Sequence, residues 1–301
     1  MSSCIYCGQE GASTNEHLVA DWINRELRNS NLNHDIVHRN RSYSEAEAVI
    51  VVDQSVRTRN GPVGALVLRG VCGPCNSTWM SAVVNAARPS LSRLMRGDVD
   101  LHAYAHVAEW AVLTAMNFSA FFADGVVTES ERRQFCETRI LAQGWSVYIG
   151  HCTGLESRAF SYRHTGIHAD PLRLDLNMLV YTQCLGRAVV HVVKTPEEGH
   201  LYIDCLQYGP SVGLWPVHPC SAPSSLFLNS HGPPLLTAAQ VGRLGSAIMD
   251  RVCLEIRGYN RNGQFDDWAL PRDYSVWLPI LRLNPNFDPP PQIPNGVEER
   301  C

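Results

Sequence analysis

The chain has 301 residues, 45% hydrophobic and 18% charged, with a formal net charge of -4, which is long enough for a full core and for two domains. This balance excludes a disordered polyelectrolyte and offers no basic tail or charge block to attract a polyanion. No stretch approaches the ~20 apolar residues of a membrane helix, and the opening MSSCIYCGQE lacks a charged-then-apolar signal, so a soluble, cytoplasmic protein without a membrane partner is expected.

Residues 1–97 read as one unit. It opens with a cysteine knuckle and continues through a helix-like stretch from Asp21 to Arg28. Two strand-like runs follow, AVIVVD at 48–53 and VGALVLRGV at 63–71, and then a second cysteine pair. His34 and His38 read as loop histidines. Ser77 to Arg88 is rich in helix formers, with Trp79 and Met80 facing a core and Pro89 ending or kinking the helix. Residues 98–143 are helical: the apolar spacing from His102 to Ala123 predicts a largely buried helix, and the capping box Thr128-Glu129-Ser130-Glu131 starts another towards Gln143.

Residues 144–283 change to short β-rich runs, WSVYIG, RAFSYRH, LRLDLNMLVYTQCL, RAVVHVV and HLYIDCL, which predict an antiparallel sheet. A second capping box at Thr237 to Gln240 opens a helix to about Glu255, and residues 284–301 are a proline-rich extended tail. The expected class is therefore α+β. The seven histidines from His151 to His231 lack metal-ligand spacing and read as structural or surface residues. Arginine supplies nearly all the positive charge, with Lys194 the sole lysine.

Eleven cysteines in a long chain without an export signal argue against a disulfide framework. Four of them form the knuckles Cys4-Ile5-Tyr6-Cys7 and Cys72-Gly73-Pro74-Cys75, and each knuckle offers two thiolates to one structural Zn²⁺. Gly8 and Gly73 are expected to let the chain turn so that backbone amides point at the sulfurs. Residues 8–71 lie between the knuckles, so a folded segment must fill the loop that zinc closes.

Zinc would bring Glu16-His17, which follow the first knuckle, towards Asn76, which follows the second. A histidine titrating near neutrality can activate water. A carboxylate with an amide oxygen can hold one Mg²⁺ or Mn²⁺ that retains several waters. Together they are a minimal kit for one-metal phosphodiester hydrolysis.

The order CxxC, Glu-His, CxxC-Asn at a helix start resembles the HNH (ββα-metal) endonucleases whose module is stapled by four-cysteine zinc. The resemblance covers the first third of the chain, and weakly the helical part to about residue 143. It implies His17 as general base, Glu16 and Asn76 as ligands of a catalytic divalent metal, and Cys4, Cys7, Cys72 and Cys75 as structural zinc ligands. It also implies nucleic acid, DNA foremost, as substrate, and pairing into a homodimer as one way to cut both strands. A defence or mobile-element effector is one setting, switched by a regulatory ligand at the C-terminal domain.

The chain departs from the pattern in two places. The middle asparagine of HNH has no unambiguous counterpart, with Asn60 as a candidate, and Trp79 replaces a basic helix residue; Arg57, Arg59 and Arg69 either grip phosphate in its place or form an ordinary solvated strand face. A non-catalytic zinc module binding nucleic acid or a protein partner uses the same residues and stays open at this point.

Overall fold

The computed structural model describes residues 3–11, 14–27, 36–43, 57–59, 66–98, 104–153, 160–169, 174–195, 213–219, 235–237, 240–241 and 244. The architecture among them is mixed α and β, with nine strands and five helices. β1 (Thr14–His17) pairs antiparallel with β4 (Val67–Val71) as a separate ribbon. The other strands form one sheet in the order β3-β2-β6-β7-β8-β5-β9. They are β2 (Ile36–Tyr43), β3 (Arg57–Arg59), β5 (Trp145–His151), β6 (Phe160–Ala169), β7 (Leu174–Leu185), β8 (Ala188–Lys194) and β9 (Trp215–His218).

The expected strands at 144–194 are present. Antiparallel pairing joins β6 to β7, β7 to β8 and β8 to β5. The sheet also takes in β2 and β3 from the loop between the knuckles, and β2 lies parallel to β6. His38, expected in a loop, stands on β2. The runs at 48–53 and 201–206 and the proline-rich tail lie outside the described residues.

The helices are α1 (Asp21–Leu27), α2 (Gly73–Cys75), α3 (Ser81–Arg96), α4 (Ala105–Phe122) and α5 (Glu129–Thr138), with a π-helical turn, Asn76–Met80, joining α2 to α3. Pro89 does not end the rod. It lies inside α3, exposed, and the residue whose carbonyl its ring deprives of a donor, Asn85, is also exposed, so the lost hydrogen bond falls on the solvent side of the helix. The left-handed Gly97 ends the helix instead.

α4 is buried over almost its whole length, because α3, the sheet and β4 pack around it. Trp145, Val147 and Ile149 alternate along β5 into the same core as Trp110 and Phe118 of α4. That core runs without a break into Cys4, Tyr6, Cys72 and Cys75, so the knuckles rest on the helices and sheet. The hairpin turn after β7 reaches α3 as well, where Arg187 N–H donates to the Met95 carbonyl at 3.0 Å.

Both capping boxes form. The Thr128 hydroxyl accepts from Glu131 N–H at 3.1 Å while Glu131 accepts from Thr128 N–H. The Thr237 and Gln240 pair makes the same reciprocal bonds. Among the described residues no helix is long and apolar enough to cross a membrane.

Candidate metal centre and adjoining polar residues

Cys4, Cys7, Cys72 and Cys75 converge, with all four sulfurs within 4.8 Å of one another and Cys7 and Cys72 at 3.6 Å. A tetrahedral ion with Zn–S bonds of ~2.3 Å sets its sulfurs roughly 3.8 Å apart, so the four thiols are arranged to hold a metal ion such as zinc.

The sequence builds this locally. Gly8 adopts φ +74°, which turns the first knuckle, and its N–H donates to the Cys4 carbonyl at 2.8 Å. Gly73 was expected to turn the second knuckle in the same way, but it sits in the first turn of α2 without a left-handed backbone. There Pro74 and the Cys72 cap start the helix, so no special glycine geometry is needed.

Backbone amides point at the sulfurs: Cys72 N–H at Cys4 Sγ (3.4 Å) and Cys75 N–H at Cys72 Sγ (3.5 Å). Burial pushes the Cys4 thiol up, but hydrogen bonds from Cys7, Cys72 and Tyr6 outweigh it and leave it at about 7. Burial raises Cys72 and Cys75. Three of the four sulfurs belong to buried residues and only Cys7 is exposed. Burial that disfavours free thiolates at Cys72 and Cys75 makes the cluster a good host for a cation that neutralises them.

Around the thiols lies an aromatic layer. Tyr6 is fully buried and donates its hydroxyl to Asn117 Oδ1 of α4 at 2.6 Å. Trp79 meets the edge of Tyr6 at 5.1 Å between ring centroids and of Phe135 at 5.9 Å. Met80 is buried and Trp79 packs on the core, as expected for core-facing helix residues.

Glu16 and His17 occupy the last two positions of β1, opposite Leu68 and Val67 of β4, and β4 runs on directly into Cys72, Cys75 and Asn76. His17 is exposed and Glu16 is partly buried. Burial raises Glu16 from the ordinary carboxylate value to about 7. Among the described residues Glu16 has no hydrogen-bond or ion-pair partner.

Asn76 opens the π-turn. Its carbonyl accepts from the Ser81 hydroxyl at 2.8 Å, while Ser77 and Thr78 bond back to the carbonyls of Gly73 and Pro74. No bond joins Glu16, His17 and Asn76 among the described residues. Arg69 is exposed on β4, and Arg57 is at one end of β3 with Arg59 at the other. Asn60 lies outside the described residues.

Sequence reading missed the part α5 plays here. Arg132 Nε donates to the Ile5 carbonyl inside the first knuckle at 3.4 Å, and Arg139 lies over the Trp79 ring at 4.1 Å. No local pattern announces either contact, since both join residues more than fifty positions apart. Compared with protein-family models, curated proteins and solved structures, the chain has no match.

Proposed function

We propose that this chain is a metal-dependent endonuclease of the HNH type, with residues 1–97 as the zinc-stapled module. The observation that carries the reading is Glu16: a desolvated carboxylate without a partner among the described residues, next to an exposed histidine, on the strand zipped to the one that leads into the knuckle and Asn76. Burying a carboxylate without a partner costs stability, and a divalent cation at that position removes the cost.

The donor set fits such an ion. Glu16 offers a carboxylate oxygen and Asn76 an amide oxygen, both hard ligands of the kind Mg²⁺ or Mn²⁺ takes. The cation, when bound, supplies positive charge to the phosphate and the departing 3′ oxygen. His17, free in solvent, takes the proton of the attacking water at a ring nitrogen. The zinc centre is structural in this reading: it sets where β4 ends and the Asn76 turn begins.

A π-turn beginning at Asn76 supports the assignment, since such insertions collect at functional sites. The segment 73–96 contains no acidic residue and carries Arg88, Arg93 and Arg96 exposed, which leaves its outer face compatible with a phosphate backbone. DNA is the foremost substrate, and homodimerisation and a regulatory ligand at the C-terminal residues belong to the same proposal.

The second reading, a non-catalytic zinc module that binds nucleic acid or a protein, draws on the lack of any bond among Glu16, His17 and Asn76. Cleavage of plasmid DNA and of RNA in Mg²⁺ or Mn²⁺ separates the two, comparing wild type with His17→Ala at checked zinc content. The nuclease reading predicts nicking by wild type and its loss in the folded, zinc-loaded variant. No cleavage by wild type with either metal, or equal cleavage by both proteins, contradicts it.

A further inference from the structure

The four-cysteine centre meets arginines from another part of the chain, on α5 and at its C-cap. Four thiolates around a doubly charged cation leave a net double negative charge, which needs compensation in a partly buried setting. The knuckles supply none, since neither CIYC nor CGPC contains a cation.

α5 lies against this centre with three arginines. Arg132 Nε reaches the Ile5 carbonyl between the two cysteines of the first knuckle. The guanidinium of Arg133 comes so near Gly8 that a Cβ there would sit 3.0 Å from Nη2. Arg139, at the helix C-cap with φ +60°, turns back to donate to the Phe135 and Cys136 carbonyls and stacks on Trp79. Burial weakens the hold of Arg139 on its proton, and Cys136, Cys75 and Glu109 lie near enough to favour its charged form.

Arg139 thus ties the carbonyl end of α5 to Trp79, whose ring packs on Tyr6 of the first knuckle. The acids of α5 do not neutralise the arginines equally. Glu129 takes Arg133 at 2.8 Å and Glu131 takes Lys194 at 2.9 Å, while Arg132 and Arg139 make no ion pair among the described residues.

We propose that Arg132 and Arg139 are positioning residues of the metal centre: their charge holds zinc on the four thiolates, which makes α5 part of the site. The inference rests on zinc filling that site. Zinc analysis of the wild type and of Cys4→Ser tests that premise separately.

The test is the rate at which the purified full chain gives up zinc to a chromophoric chelator in low and high salt. Arg139→Met keeps a long apolar stem over Trp79 without the charge, and Arg139→Lys keeps the charge without the planar stack. Partners just outside a metal's ligands typically change affinity ~10–100-fold. Arg139→Met is expected to lose zinc at least about tenfold faster than wild type, with Arg139→Lys close to wild type and the gap narrowing in high salt.

Equal rates for Met and Lys variants, or a salt-independent gap, would make the role one of packing and overturn the proposal. Arg132→Met, which leaves the Trp79 stack intact, gives an independent reading if Arg139→Met does not fold. It too should release zinc faster, and a wild-type rate there counts against the charge argument.

Discussion

Replacing Glu16 by glutamine should stabilise this protein, and by an amount that grows with pH. Burial lifts the Glu16 carboxyl from the ordinary 4.5 to about 7. The folded state therefore keeps a proton that the unfolded chain has already released above pH 4.5, and the stability this group contributes is complete below that point and falls as pH rises through 7. At about 1.4 kcal/mol per tenfold change in proton affinity, the raised Glu16 carboxyl costs roughly 2 kcal/mol at pH 6, where the folded state takes up a proton, and roughly 3 kcal/mol at pH 8, where it is held charged. Partial exposure of the carboxylate makes these upper values.

Glutamine keeps the shape and removes the charge, so the zinc-loaded Glu16→Gln variant should unfold at higher urea than wild type, with the gap widening by about 1 kcal/mol from pH 6 to pH 8. Adding Mn²⁺ at pH 8 should raise wild type towards the variant and leave the variant unmoved. A variant no more stable than wild type at pH 8, or a gap that does not change with pH, refutes the claim that Glu16 is held desolvated. A residue whose charge costs stability in the resting protein is what a metal ligand looks like before its metal arrives.

Other perturbations give sharp outcomes. Lys194 and Glu131 pair at 2.9 Å with both side chains about one-tenth exposed or less, and Trp145 also donates to Glu131. Glu131→Gln strands a buried ammonium and should cost ~3–5 kcal/mol in thermal or urea unfolding. Glu131→Gln with Lys194→Met should recover most of it, and additive losses would count against the pair. Gly144 has φ +90°, and a Cβ there would sit 2.5 Å from the Thr195 carbonyl, so Gly144→Ala should destabilise by about 2 kcal/mol or more. A wild-type melting curve would show that this turn has room to spare. Stripping zinc with a strong chelator should expose residues 1–97 to protease first, and a wild-type digestion pattern would contradict a stapling role.

How far the fold was legible depended on how local each cause is. The four-cysteine cluster could be read because metal-ligand spacing is written in a few adjacent residues. The Thr128 and Thr237 caps follow for the same reason, and the buried helix α4 shows in its apolar spacing. What could not be read is non-local. β2 joins the sheet by parallel pairing to β6, so Ile36–Tyr43 is a strand because of residues 160–169 and not because of its own polar sequence.

β1, four residues long and polar, is a strand only because β4 lies beside it. Pro89 does not end α3, where the residue whose carbonyl it leaves unpaired is exposed. For the candidate site, residue types and order were readable, and the burial that perturbs Glu16 was not. Arg132 and Arg139 meet the first knuckle and Trp79 only in three dimensions.

In the proposed function Glu16 and Asn76 share one divalent cation beside His17. Titrating Mn²⁺ into zinc-loaded protein, followed by electron paramagnetic resonance of the free ion, tests it most directly. One bound Mn²⁺ in wild type, lost in both Glu16→Gln and Asn76→Ala with zinc retained, is the predicted result. Wild-type Mn²⁺ binding in either variant would contradict it.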